Sequence, residues 1–274
     1  MKGIEIVTKY GLIAEKAKWD VEDFEYNSIC ETFSENDKNL IIAMDQVGDG
    51  EMSGMGMLLI LHKLALQDAD KYMPIFYEVF MFTSYVLIYE EFRHGLFLKE
   101  LVAAVRGEPP FKNTVTSEKM AQEYINMESP WGNPYEAVVS FLLGEVTNTV
   151  VYREASKAAE SEWLKEKFMN ISRDEARHKA AWRDLAKKVC EYSEESKREF
   201  IEAFRTKHMI HQSEVNIGYG ESVNKTHHLF SFAIMREVHE DKIKLLNHIA
   251  GDTDIDTNQI LIDHINHIKG LCHA

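Results

Sequence analysis

Apolar residues recur three and four positions apart along most of this chain, the period of a helix with one buried face. The first ten residues read as an extended arm, and the helical pattern begins near Ile13. A long helix is expected from about Asp37 to Leu66, with Leu40, Ile41, Met44, Val47, Leu58, Leu61 and Leu64 as its apolar positions. Gly48, Gly50, Gly54 and Gly56 interrupt it. Each weakens a helix by up to about 1 kcal/mol relative to Ala, so four together point to close packing, a kink or the approach of a ligand. Gln67 to Asp70 reads as a turn. The next helix is expected to begin near Pro74, because Pro is tolerated in a first turn. It runs to about Val105 and is ended by Gly107-Glu108-Pro109-Pro110. After a break at Pro130 to Pro134, two more long helices are expected, Tyr135 to Ala159 and Trp163 to Cys190. Amphipathic segments follow at Ser196–His211, Thr226–Ile249 and Asp256–Lys269.

Composition supports an all-α reading. Fourteen Gly and five Pro in 274 residues are too few for an all-β chain, which needs a turn about every 8–12 residues. Hydrophobic residues make up 45% of the chain, enough for a buried core and against disorder. The net charge of −14 argues against a general nucleic-acid-binding surface. Cys30, Cys190 and Cys272 are odd in number and not spaced as metal ligands, which fits free thiols in a reducing cytoplasm. No 18-residue uncharged apolar run is present, so no membrane span is expected. No linker-like stretch divides the chain, and one domain over 1–274 is expected, with a core at about 36–191.

Two long helical hairpins thus follow one another, and the second helix of each carries Glu-x-x-His, as Glu91-Phe92-Arg93-His94 and Glu175-Ala176-Arg177-His178. Positions i and i+3 share a helix face, so each pair presents a carboxylate and an imidazole to one point. Two such pairs, with one more carboxylate from each of two other helices, make the donor set of a di-iron site in a four-helix bundle. Antiparallel partners at one height lie equally far from their turn, which locates the missing carboxylates. Glu145 and Glu175 share a midpoint at 160, where the second turn falls, and Glu145 lies in an otherwise apolar run. Glu51 and Glu91 share a midpoint at 71, beside the first turn, with Asp49 (midpoint 70) as the competitor. His62 lies too near the turn to join them. The expected metal ligands are therefore Glu51, Glu91, His94, Glu145, Glu175 and His178. Each motif also has an acidic residue before it and an Arg inside it. Glu90 and Asp174 are placed to hydrogen-bond the imidazole of the opposite motif and set its tautomer. Arg93 and Arg177 either balance carboxylate charge or lie solvated at the surface.

These strings resemble the soluble acyl-acyl carrier protein desaturases of the ferritin-like di-iron superfamily. Glu90 to Gly95 matches that family's Glu-Glu-x-Arg-His-Gly, Asp174 to His178 its Asp-Glu-x-Arg-His, and Trp19 to Phe24 its Trp-x-x-x-Asp-Phe. The likeness covers about residues 15–220. An ungapped alignment on Val47-Gly48-Asp49 puts Ser53 where the family has Glu, so Glu51 enters only after a small shift, and the second hairpin is a few residues shorter than the family's. The resemblance implies a ferritin-like four-helix bundle with additional helices and a cofactor of two iron ions, one replaceable by manganese. It implies oxygen-dependent desaturation of a fatty-acyl chain on an acyl carrier protein, a ferredoxin-like electron donor and a homodimer. Thr149, one turn after Glu145, matches the place where related di-iron oxygenases carry a catalytic Thr, with Thr147 and Asn148 as substitutes and simple packing as the other reading.

The alternatives are a di-iron hydroxylase or N-oxygenase on a small or carrier-bound substrate, and a non-catalytic iron-binding bundle. Leu98 stands where the ribonucleotide reductase small subunit has its radical-forming Tyr, and Ile171 where di-iron arylamine N-oxygenases add a His. Tyr89 and Tyr152 are expected to be buried structural residues. Met44, Met52, Met55 and Met57 fit core packing or an acyl channel, which Met55, Leu58, Phe141 and Leu142 would line. An acidic carrier needs a basic patch, for which Arg153, Lys157, Lys165, Lys167, Lys187 and Lys188 are the candidates. The later histidines, including His208, His211, His227, His228, His239, His248, His264 and His267, form no second site by spacing.

Overall fold

The computed structural model describes residues 5–19, 21, 25–114, 128–206 and 232–251. The chain is all-α, with no strand among the described residues. Its helices are α1 (Glu5–Ala17), α2 (Tyr26–Cys30), α3 (Glu35–Ala43), α4 (Asp45–Leu66), α5 (Ala69–Phe82), α6 (Ile88–Arg106), α7 (Pro134–Ala158) and α8 (Glu162–Tyr192). Helical turns over 194–206, α9, and a last helix α10 (Phe232–Ala250) complete the described chain. Residues 1–4 of the expected arm, Asp23, Phe24, Cys272, His208, His211, His227, His228, His264, His267 and the helix expected at 256–269 lie outside the described residues, as do the side chains of Met55 and His239.

Local chemistry sets the helix ends. Ser34, Asn133 and Ser161 each accept a hydrogen bond from the backbone N–H three residues on, and Pro134 opens α7 where its missing N–H costs nothing. At the end of α6, Gly107 adopts φ +68°, and the N–H groups of Gly107 and Glu108 close back on Ala104 and Ala103. Three expectations need correction. Residues 5–10 of the expected arm are helix α1, because Ile6 and Tyr10, four positions apart, bury one helix face in the core. Met44 divides the helix expected over 37–66 into α3 and α4. The following helix begins at Ala69 under the Asp68 cap, so Pro74 lies inside it, with no N–H to return to Asp70.

Residues Thr83–Leu87 form a π turn between α5 and α6, so helical structure runs unbroken from 69 to 106. Such a turn inserts an extra residue and so rotates everything after it about the helix axis, and it is frequent at functional sites. Here it precedes Glu90 and Glu91 by one turn and His94 by two. Ala69–Arg106 is long and apolar enough by composition to cross a membrane. In the structure Phe76, Val79, Phe82 and Leu87 from this segment pack into the core beside Trp182.

The core has two principal apolar clusters with a polar layer between them. One holds Leu58, Leu61, Phe82, Leu142, Trp182 and Leu185; the other holds Ile41, Met44, Leu98, Leu101, Tyr152 and Phe168. Along each of α4, α6, α7 and α8 the chain passes from one cluster to the other. The acidic and imidazole side chains sit at the crossing. The glycines of α4 and α6 permit a close approach there. A Cβ on Gly48 would lie 3.1 Å from Leu98 Cβ, and one on Gly95 would lie 2.8 Å from Met52 Sδ and 3.0 Å from its backbone nitrogen.

Candidate metal centre

Four helices deliver six buried side chains to one place: Glu51 from α4, Glu91 and His94 from α6, Glu145 from α7, and Glu175 and His178 from α8. They form two overlapping groups whose donor atoms lie within 4.8 Å of one another, and which can each hold a metal ion. The first is Glu51, Glu91, His94 and Glu175; the second is Glu91, Glu145, Glu175 and His178. Glu91 and Glu175 belong to both. None of the six is more than 7% exposed, and His94, Glu175 and His178 are at 0%.

The inward atoms fit a pair of cations. Oε2 of Glu51, Oε1 of Glu91, Nδ1 of His94, Oε2 of Glu145, both oxygens of Glu175 and Nδ1 of His178 are buried without a hydrogen bond. His94 Nδ1 lies 2.8 Å from Glu175 Oε1, and His178 Nδ1 lies 3.0 Å from Glu91 Oε1, so the atoms converge without aligning as donor and acceptor. Buried polar atoms are normally satisfied, and seven orphans aimed at one volume call for an electrophile. Charge leads to the same conclusion. Four inward carboxylates match the charge of two divalent ions, and hard oxygen with imidazole donors suits iron or manganese.

Without cations the site is electrostatically uncomfortable. Burial, with repulsion from Glu91 and Glu175, pushes the Glu51 and Glu145 carboxyls well above the usual range. For Glu175 burial works in the same direction, but contacts with Glu145, His178 and His94 outweigh it and hold that group low. Burial pulls both imidazoles down. Asp174 and Glu175 overcome this at His94 and raise it to about 9, and the surrounding carboxylates raise His178 well above its usual value.

Around this set lies a second layer with crossed symmetry. His94 Nε2 lies 3.1 Å from Asp174 Oδ2, and His178 Nε2 lies 3.0 Å from Glu90 Oε2. Each motif's leading acid therefore holds the other motif's imidazole and turns its Nδ1 inward. Arg93 and Arg177 are buried, not solvated. Arg93 donates to Asp174 at 2.7 Å and to Glu90 at 3.3 Å. Arg177 pairs with Asp174 at 2.9 Å and also donates to Glu90. Two guanidiniums thus neutralise the two outer carboxylates. Trp19 adds a 2.9 Å hydrogen bond to Asp174 and stacks near His94.

Four residues weighed from the sequence do not enter the cluster. Asp49 is turned outward to Lys99 at 2.7 Å, with a side chain 66% exposed. Thr149 directs its hydroxyl to the Glu145 carbonyl at 2.7 Å, along its own helix, while Asn148 reaches Glu51. Tyr89 is 54% exposed, not buried. His62 bonds Thr83 at the start of the π turn, well away from the centre. Two groups that touch the site had not been singled out for it. The Tyr152 phenol donates to Glu51 at 2.7 Å and the Trp182 indole to Glu145 at 3.2 Å. Spacing puts 145, 148 and 152 on one face of α7 and 182 one turn beyond His178, but only the packing of the helices makes them partners of Glu51 and Glu145.

No protein-family model, curated protein or solved structure matches this chain.

Proposed function

We propose that the chain is an oxygen-dependent di-iron oxidase of ferritin-like fold, with desaturation of a carrier-bound fatty-acyl chain as the reaction that its motifs imply. The observation that supports this reading is the pair of four-residue groups that share Glu91 and Glu175, with seven inward atoms unpaired. Glu51, Glu91, His94 and Glu175 would hold one ion, and Glu145, His178, Glu91 and Glu175 the other. Reduced iron supplies the capacity to activate dioxygen for attack on an unactivated C–H bond. The protein's part is to hold the imidazoles by Asp174 and Glu90, to neutralise those acids by Arg93 and Arg177, and to keep water from the buried centre.

A second reading, hydroxylation or N-oxygenation of a small substrate, is favoured by the surface. All six candidate basic residues have carboxylate partners: Arg153 with Glu154 and Glu237, Lys157 with Glu154, Lys165 with Glu162, Lys167 with Glu166, Lys187 with Glu191 and Lys188 with Glu78. They offer an acidic carrier no unneutralised patch. Leu58 and Leu142 are fully buried in the core and Phe141 stacks on Trp182, so these expected channel residues are packed together. The test is oxygen uptake by the reduced, iron-loaded protein with acyl-carrier thioesters and with small amines or acids, followed by product analysis. An unsaturated thioester supports the first reading and an alcohol or N-oxide the second. Absence of substrate-dependent uptake across both classes contradicts an oxidase.

A further inference from the structure

Both terminal carboxylates of the centre are gripped from behind by an aromatic donor. Tyr152 Oη donates to Glu51 Oε1 at 2.7 Å, and the Asn148 amide approaches the same oxygen at 3.3 Å. Trp182 Nε1 donates to Glu145 Oε1 at 3.2 Å. In both carboxylates it is the other oxygen, Oε2, that lies buried with no hydrogen bond. Tyr152 and Trp182 are at 0% exposure, so neither can exchange its bond for one to water. Packing also restrains their rings. Tyr152 lies against Phe168 and near His94, and Trp182 is stacked on Phe141 at 5.2 Å and met edge-on by Phe82.

A carboxylate with both oxygens free can close on a metal through both. One whose Oε1 already accepts a hydrogen bond from a buried donor has that oxygen partly committed and turned away, while Oε2 is wholly free, so coordination through Oε2 alone is favoured. On the metal reading above, we infer that Tyr152 with Asn148, and Trp182, are positioning residues that hold Glu51 and Glu145 to one-oxygen coordination. Each ion would then be held by one atom of its terminal carboxylate, by one imidazole and by Glu91 and Glu175. Hard divalent ions favour about six ligands. Four protein donors leave places for an exogenous ligand such as dioxygen or a substrate atom. The two sides are unequal: Glu51 has two donors, and Glu145 has one at a longer distance.

The test is anaerobic titration of the full-length, metal-free protein with Co2+, whose visible spectrum reports coordination number. Wild type is expected to bind two Co2+ with the strong bands of four- or five-coordinate ions. Tyr152→Phe keeps the ring and removes the donor. It is expected to weaken one of the two binding steps by about 10–100-fold, the usual cost of losing such a partner, and to dim the bands of that ion as Glu51 closes on it. The other step stays as in wild type. In a Glu51→Gln background the same change is expected to add no further loss, whereas Trp182→Phe does add one. Should Tyr152→Phe lose its helical circular dichroism, the half-buried Asn148→Ala carries the same test. Two Co2+ bound with wild-type affinity and spectrum in these variants overturns the positioning role and leaves the metal reading intact. Equal weakening of both steps also overturns it, since that is the signature of general destabilisation. No Co2+ uptake by wild type overturns the metal reading and this inference with it.

Discussion

Asp174 Oδ2 lies 3.1 Å from Nε2 of His94, an imidazole 80 residues earlier in the chain, and Glu90 stands in the same relation to His178. This exchange ties α6 to α8 across the centre and turns both Nδ1 atoms toward Glu91 and Glu175. Asp174→Asn and Glu90→Gln remove the charge that orients each ring and leave Arg93 or Arg177 short of a partner. Each is expected to lower metal affinity about 10–100-fold, measured by anaerobic Fe2+ titration. Affinity unchanged in both variants contradicts the outer layer's role.

Glu51 and Asp49 are two residues apart and face opposite ways. Glu51→Ala is expected to reduce the metal content of the iron-loaded protein, while Asp49→Asn costs only an exposed ion pair with Lys99, a contact worth roughly 0–1 kcal/mol. Metal analysis of the two variants checks this. Loss of metal in Asp49→Asn with full loading in Glu51→Ala contradicts the assignment.

Gly95 lies where α6 meets Met52 of α4. Gly95→Ala puts a methyl group 2.8 Å from Met52 Sδ and 3.0 Å from its backbone nitrogen, so the helices must separate. Overpacking of this kind costs about 1–3 kcal/mol. The expected result is a lower melting temperature together with weaker metal binding, because Glu51 is next to Met52. A wild-type melting curve contradicts the close approach.

In the metal-free protein, His94 is raised from 6.5 to about 9, with Asp174 and Glu175 outweighing the effect of burial. A group raised on folding contributes its full stabilisation below its unfolded pKa and loses it as pH rises through the folded value. Glu51 and Glu145, also raised, act in the same direction. The metal-free protein is therefore expected to melt at lower temperature as pH rises from 6.5 to about 9. Apparent metal affinity should rise over the same range, because a bound imidazole must give up its proton. Melting curves and titrations at several pH values check both, and a flat profile contradicts the shift.

The centre was largely legible in the sequence because helical hairpins obey simple geometry. Glu-x-x-His places two donors on one face, and equal distance from a turn singled out Glu145 and Glu51. The competing Asp49 differs by two positions, which on a helix turns the side chain to the far side, toward Lys99. What spacing could not supply was the partner across helices. Thr149 stands one turn beyond Glu145, yet its hydroxyl bonds its own helix, and Asn148 and Tyr152 take the inward positions. Trp182 carries an apolar ring with one polar atom, and only packing decides whether that atom meets a carboxylate. The π turn was hidden for another reason. Thr83 to Leu87 reads as ordinary helix, and the extra residue matters only through the register that it imposes on Glu91 and His94.

The proposed function rests on Glu91 and Glu175 being shared between two metal positions. Anomalous scattering at the iron edge, from crystals of anaerobically iron-loaded protein, tests it most directly. The expected result is two peaks about 3.5–4 Å apart, as in two-metal sites generally, one beside His94 and Glu51 and the other beside His178 and Glu145, with Glu91 and Glu175 touching both. A single peak, or no peak among these six side chains, would contradict it.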